Sequence, residues 1–378
     1  FLRIERSRAR LRVMVLSKLA CHVLRWVLIP GIAAGSIAGL LAQQSEELPP
    51  PSLPILTFGY NQILCREGSD TLVSPALHRE PFYRGRITSV DGLSLELDSP
   101  PDWEAGQLAG SHYVLYHSGV LTGAFHAIDN DQDGRIGLDT NGEELSAAPG
   151  DTLSLIPYWS LATLFPEDNT CIHRSTDASL LQRRTRVMLP DLGGPGINLP
   201  PSRIFFQNDE GWFEESAGNR PAGDTPLPPD LFLWIRHRPG DGNTTFLISG
   251  YVQCGPFRLQ LDAPAGAKQD NALALFRPVD VRLRDLGLLS DPSVFTPSNG
   301  TSLIQRRDLI LVFDNEAPGI NKAPAGIFYY DSAAQVWRDA ANGNAEAGDA
   351  VIPAGTGLII RRSSADGSTR FWVHPCPY

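Results

Sequence analysis

The sequence predicts an all-β protein: two duplicated β-sandwich or barrel-like units, the first interrupted by an inserted small β-barrel-like domain, behind an N-terminal signal helix. Three observations point there. The 378 residues include 31 Pro and 35 Gly but only two Met, a composition that suits a turn-rich β protein. Short runs of branched and aromatic residues, such as "RDLILVFDN", "GIFYYDS" and "TRFWVHP", recur with Gly, Asn, Asp and Pro between them. Finally, segments match at a fixed offset: "SLLQRR" (179–184) returns as "SLIQRR" (302–307), "GGPGIN" (193–198) as "EAPGIN" (316–321), and "IFF" (204–206) as "IFY" (327–329).

Residues 1–13 read as an upstream extension, with Met14 the expected start. Residues 14–42 then have the layout of a secretory signal peptide: Lys18 and Arg25, followed by an uncharged apolar run from Trp26 to Ala42. The run is shorter than the ~20 residues a spanning helix needs, so no membrane span is expected once the signal is cleaved. Residues 43–58, with "QQSEELPPPSLP", read as a linker. Beyond residue 42 the chain carries 25 Lys and Arg against 41 Asp and Glu, a formal net charge of −16, because seven basic residues and one acid lie before it. Such a surface repels nucleic acid and anionic lipid and suits an exported protein, secreted, periplasmic or on the outer cell surface. Cys21 lies in the signal. Cys65, Cys171, Cys254 and Cys376 remain, which permits two disulfides with three connectivities open and shows no zinc-site spacing.

The first unit is read as residues 59–81 plus 158–249, the insertion as 82–157, and the second unit as 250–378. "GYNQILC" with "GSDTLVSPAL" (59–77) resembles "GYVQC" with "KQDNALALF" (250–276), and "WSLATLF" (159–165) resembles "VRLRDLG" (281–287). "AGDT" (222–225) matches "AGDA" (347–350), "LFLWIRHR" (231–238) parallels "TGLIIRRS" (356–363), and Phe246 parallels Phe371. Within the insertion, "YRGRITSVDGLSLELDS" reads as a hairpin turning at Asp91-Gly92. Two strands flank Ser118-Gly119, and "RIGLDTNGEEL" with "DTLSLIPYW" completes a small barrel of five or six strands.

Several stretches resemble an uncharacterised family of exported, β-rich bacterial proteins: "GSDTLVS", "IPYWSLATLFP", "LPDLGGPGINLPPSRIFF", "QDNALALFRPV", "LILVFDNEAPGINKAP" and "GLIIRR". The likeness covers nearly the whole chain after the signal. It implies a signal-bearing β-rich envelope or secreted protein and implies no activity. The family pattern has a shorter, less acidic turn where this chain has "DNDQDG", so the resemblance implies nothing about calcium.

That turn is the one stretch with metal-binding character. Asp129, Asp131, Asp133 and the backbone carbonyl of Arg135 occupy positions 1, 3, 5 and 7 of an EF-hand calcium loop, and Gly134 follows at position 6. The bidentate acid of position 12 is missing, because Thr140 stands there. Strand-like sequences on both sides argue for an acidic hairpin tip holding one weakly bound calcium rather than for helix–loop–helix. No nucleophile motif such as G-x-S-x-G occurs. The expectation is therefore a non-enzymatic exported protein with a structural or surface-interaction role in the cell envelope, meeting glycans or envelope proteins. One alternative is a carbohydrate-binding module stacking sugars on Trp103, Trp212 or Trp337, although core packing is the first expectation for Trp212 and Trp337. Another is a polysaccharide hydrolase using acidic pairs such as Glu214 with Glu215, or Asp98 with Asp102. "RHR" (236–238) and "RRS" (361–363) end equivalent strands and read as paired surface charge.

Overall fold

The computed structural model describes residues 56–132, 134–140, 144–191, 194–363 and 367–376. The upstream extension, the signal and most of the linker lie outside them. The first strands are β1 (Thr57–Cys65) and β2 (Asp70–Val73). The chain then leaves their neighbourhood to build a closed barrel from β3 (Tyr83–Asp91), β4 (Ser94–Leu97), β5 (His112–Tyr116), β6 (Phe125–Gln132), β7 (Arg135–Asp139) and β8 (Thr152–Pro157). Their order around the barrel is β3-β4-β7-β6-β5-β8. The β3–β4 hairpin turns at Gly92, whose φ of 58° is the left-handed conformation that the Asp-Gly pair predicts. Alternation does the rest: Ile87, Leu95, Val114, Tyr116, Ile128, Ile136, Leu138 and Leu153 are all buried in one apolar cluster.

After the barrel come β9 (Trp159–Ser160) and the one-turn helix α1 (Leu161–Leu164), in which Ser160 and Thr163 form a reciprocal capping box. The first unit continues with β10 (Thr185–Leu189), β11 (Arg203–Asn208), β12 (Gly211–Glu214), β13 (Arg220–Pro221), β14 (Pro226–Leu227), β15 (Leu233–His237) and β16 (Thr244–Val252). The second unit holds β17 (Phe257–Leu261), β18 (Gln269–Ala274), β19 (Val281–Arg282), β20 (Leu309–Val312), β21 (Gly326–Asp331), β22 (Val336–Asp339), β23 (Ala345–Glu346), β24 (Val351–Ile352), β25 (Gly357–Arg362) and β26 (Arg370–His374).

Each unit has a six-stranded antiparallel sheet, ordered β13-β12-β11-β10-β15-β2 in the first and β23-β22-β21-β20-β25-β18 in the second. Each also has two two-stranded ribbons, β1-β16 and β9-β14 in the first, β17-β26 and β19-β24 in the second. The strand orders correspond one to one. β2, the edge strand of the first sheet, is separated from the rest of that sheet in sequence by the whole barrel.

The first core lies between its sheet and the β1–β16 ribbon with α1, gathering Ile63, Val73, Leu161, Phe165, Val187, Phe205, Trp212, Ile235 and Phe246. The second gathers Leu259, Leu273, Ile310, Phe328, Trp337, Leu358, Ile360 and Trp372. Tyr113, Leu115 and Ile156, on the outside of the barrel, pack into this second core, and Phe125 stacks on Phe257 at 5.6 Å.

Two details of the sequence alignment change. Residues 250–252 complete β16, where Gly250 pairs with Gly59 and Tyr251 with Phe58, so the second unit's first strand starts at Phe257. Phe246 is buried but Phe371 is 39% exposed, and Trp372 takes the inward position instead.

Candidate binding cleft

The repeated "PGIN" stretches build a reciprocal polar arrangement between the two units. In the first sheet, β2 and β15 pair antiparallel with Asp70 opposite Arg236. Arg236 donates through Nε to Asp70 Oδ1 at 2.5 Å and through Nη2 to Oδ2 at 2.8 Å, the bidentate fork that matches a carboxylate. The second unit then completes the pair: Arg236 Nη2 also donates to Asn321 Oδ1 at 2.7 Å, and Asn321 N donates to Asp70 Oδ2 at 2.7 Å.

The second sheet repeats this with the roles of the units exchanged. Arg361 donates to Asp270 at 2.6 and 2.8 Å and to Asn198 Oδ1 at 2.7 Å, while Asn198 N donates to Asp270 Oδ2 at 2.8 Å. Each loop also shields the other unit's edge strand. Asp70 N donates to Gly319 O, and Asp270 N to Gly196 O, both at 2.9 Å. The loop sequence follows from its backbone. Gly196 and Gly319 sit at φ 140° and 141°, and Asn198 and Asn321 at 54° and 52°, conformations that Gly and Asn tolerate best.

Between the two brackets lies a cleft of about 480 Å³ lined by Leu72, Met188, Trp234, Ala272, Leu311 and Ile359, with Pro190, Pro200, Pro201, Pro324 and Lys322 also contributing. Beneath it Leu72, Phe232, Ala272 and Ala274 form a small core joining the two units, against which Trp234, Phe313 and Ile359 pack. Trp234 stands edge-on to Phe232 at 5.0 Å. Lys322 donates to the carbonyls of Asp314 and Ala317 at 2.8 and 3.0 Å, and desolvation lowers its pKa. The carboxylates of the cleft are all engaged: Asp70 and Asp270 with arginines, and Asp191 with the Gly194 N–H at 3.0 Å.

The residues singled out in the sequence fall elsewhere. Asp131 is 2% exposed, and its carboxylate accepts the backbone N–H groups of Gly106 at 2.6 Å and Leu108 at 2.8 Å. Asp129, beside a bulge between Ile128 and Asn130, is exposed. Asp133 lies outside the described residues. Arg135 is exposed, with its guanidinium 3.8 Å from Glu96. The structure thus turns Asp131 inward and Asp129 outward, and among the described residues no group of three His, Cys, Asp or Glu side chains is placed to hold a metal ion.

Trp212 and Trp337 are core residues at 4% and 5% exposure, while Trp103 is half-buried against the barrel core. Glu214 accepts both arms of Arg203 at 2.9 and 2.8 Å, and Glu215 lies 2.8 Å from Arg183. The Arg203 guanidinium holds the Glu214 carboxyl down at about 2. Arg236 and Arg361, expected as surface charge, are instead the arginines of the two brackets.

Compared with known proteins, the chain matches no family model, no curated protein and no solved structure. The cleft itself was signalled in the sequence by the repeated "PGIN" and by Asp70 and Asp270 heading matched segments. That each loop serves the opposite unit was not.

Proposed function

We propose that the protein is a non-enzymatic exported β protein of the cell envelope, and that the cleft between its two units is where it meets its partner. The observation that carries this reading is the pair of Asp–Arg–Asn brackets. They commit Asp70, Arg236, Asp270 and Arg361 to holding its shape and leave a largely apolar, proline-rimmed surface with one indole on it. The layout of residues 14–42 and the acidic balance beyond them support export. The matched strand orders support the duplication of one ancestral unit, the first copy carrying the barrel as an insertion. Among the described residues no helix is long and apolar enough to cross a membrane.

A second reading, carbohydrate binding, is favoured by Trp234, which is half-buried in the cleft where a sugar face could stack. The test is a glycan array together with an envelope-protein pull-down, each run with wild type and Trp234→Ala, with calcium and with chelator. A partner whose binding falls at least tenfold in Trp234→Ala supports the cleft. A partner bound equally by both proteins removes it from the proposal. Loss of binding in chelator alone points to the acidic turn instead.

A further inference from the structure

We propose that Cys65 and Cys171 form a disulfide that clasps the core of the first unit, joining the strand before the barrel to the segment after it. Cys65 ends β1, and the β1–β16 register places it opposite Thr244. The Thr244 hydroxyl donates to the Cys171 carbonyl at 2.9 Å, so one residue of β16 touches both cysteine positions. Both side chains lie in the same apolar cluster with Ile63, Val73 and Phe246, at 0% and 4% exposure. Both are free thiols in the structure, and the neighbouring Cys65 together with burial raises the Cys171 pKa far above the ordinary thiol range.

Around them the polar groups are already satisfied. His237 is fully buried between the hydroxyls of Thr185 at 2.8 Å and Thr244 at 2.7 Å. Two buried cysteines that share Thr244 as a neighbour are placed for cross-linking. Cys65 precedes the barrel in the chain and Cys171 follows it, so the bond closes a loop that contains the whole barrel.

The chemistry is a thiol–disulfide exchange during folding. Each thiol loses its hydrogen, the S–S bond forms, and two electrons and two protons pass to a dithiol–disulfide oxidant, whose own disulfide leaves as two thiols. This inference goes beyond the proposed function, although an exported chain would meet such an oxidant. Its test is independent of location.

Protein carrying Cys254→Ser and Cys376→Ser, both half-buried positions, is refolded in a buffer of oxidised and reduced glutathione. It is then denatured, treated with N-ethylmaleimide, weighed and mapped as peptides without reductant. The expected result is no alkylation at Cys65 or Cys171, a peptide joining Cys65 to Cys171, and a melting temperature that falls on the order of 10 °C on reduction. Alkylation of both thiols overturns the proposal, as does a bond to a second molecule. The same peptide map of wild type covers the case in which the double variant does not fold. A Cys65–Cys171 link there supports the proposal, and either residue found free or joined to Cys254 or Cys376 overturns it.

Discussion

Asp131→Ala tests whether the acidic turn serves the barrel directly or through a bound cation. In the structure the Asp131 carboxylate holds two backbone N–H groups of the segment between β4 and β5, at Gly106 and Leu108, and Leu108 places its side chain in the barrel core. A hydrogen bond to a charged acceptor contributes roughly 1.5–3 kcal/mol, and a buried N–H left without one costs about 1–3 kcal/mol. The Leu108 N–H would be left buried without an acceptor, while the exposed Gly106 N–H keeps the Asp131 carbonyl at 3.3 Å, so the change is expected to cost about 2–3 kcal/mol, a large part of the ~5–15 kcal/mol of a typical domain. Asp131→Asn keeps one acceptor and turns an N–H₂ toward the other donor, so about half that loss is expected. Asp129→Ala, on an exposed side chain, should stay within about 0.5 kcal/mol of wild type. Urea unfolding followed by circular dichroism, in millimolar calcium and again in chelator, measures all three. A loss below about 1 kcal/mol for Asp131→Ala refutes the clamp. So does a wild type that chelator weakens to the level of the variant, because Asp131 would then act through a cation.

Two other outcomes follow from buried charge. Glu214 has a folded pKa of about 2, below its unfolded value of 4.5, so its contribution is present above pH 4.5 and is lost as pH falls towards 2. The shift corresponds to at most about 3 kcal/mol, and the exposure of its partners Arg203 (36%) and Arg220 (69%) reduces it to about 1–2 kcal/mol. Unfolding free energies at pH 7 and pH 3 should differ less for Glu214→Gln than for wild type by roughly half that amount, because at pH 3 the folded carboxyl is still mostly ionised. Arg277, 1% exposed, donates to the carbonyls of Gln253, Gly255, His374 and Pro375 and so fastens the turn before β17 to the end of β26. Arg277→Met should cost about 4 kcal/mol, with hydrogen exchange rising first at residues 253–257 and 372–376.

Strands were legible because alternation is local: the buried residues of β4, β15 and β25 sit where period two puts them. The matched segments aligned two sheets of identical strand order, since buried pairs such as Val187 and Ile310, or Ile235 and Ile360, occupy corresponding strands. What failed was non-local. The two "GY" dipeptides look alike because Gly59 and Gly250 face each other across one ribbon, and the likeness moved the unit boundary by several residues. Asp131 was read from its neighbours in sequence, but its donors come from a loop more than twenty residues earlier. Arg236 and Arg361 looked like surface charge because the acids that receive them lie 166 and 91 residues away.

The reciprocal reach of the "PGIN" loops makes the two halves mutually dependent in the manner of a closed dimer joined by its own chain. One half alone would expose β2 or β18 as a bare sheet edge, with an arginine–aspartate pair missing its asparagine. Two copies of one half would repair both faults at once, each lending its loop to the other around a twofold axis. A single chain holding both halves keeps that exchange without requiring them to be identical. Only one of them carries a barrel, and only one places an indole in the shared cleft, where Trp234 stands opposite the matching Ile359.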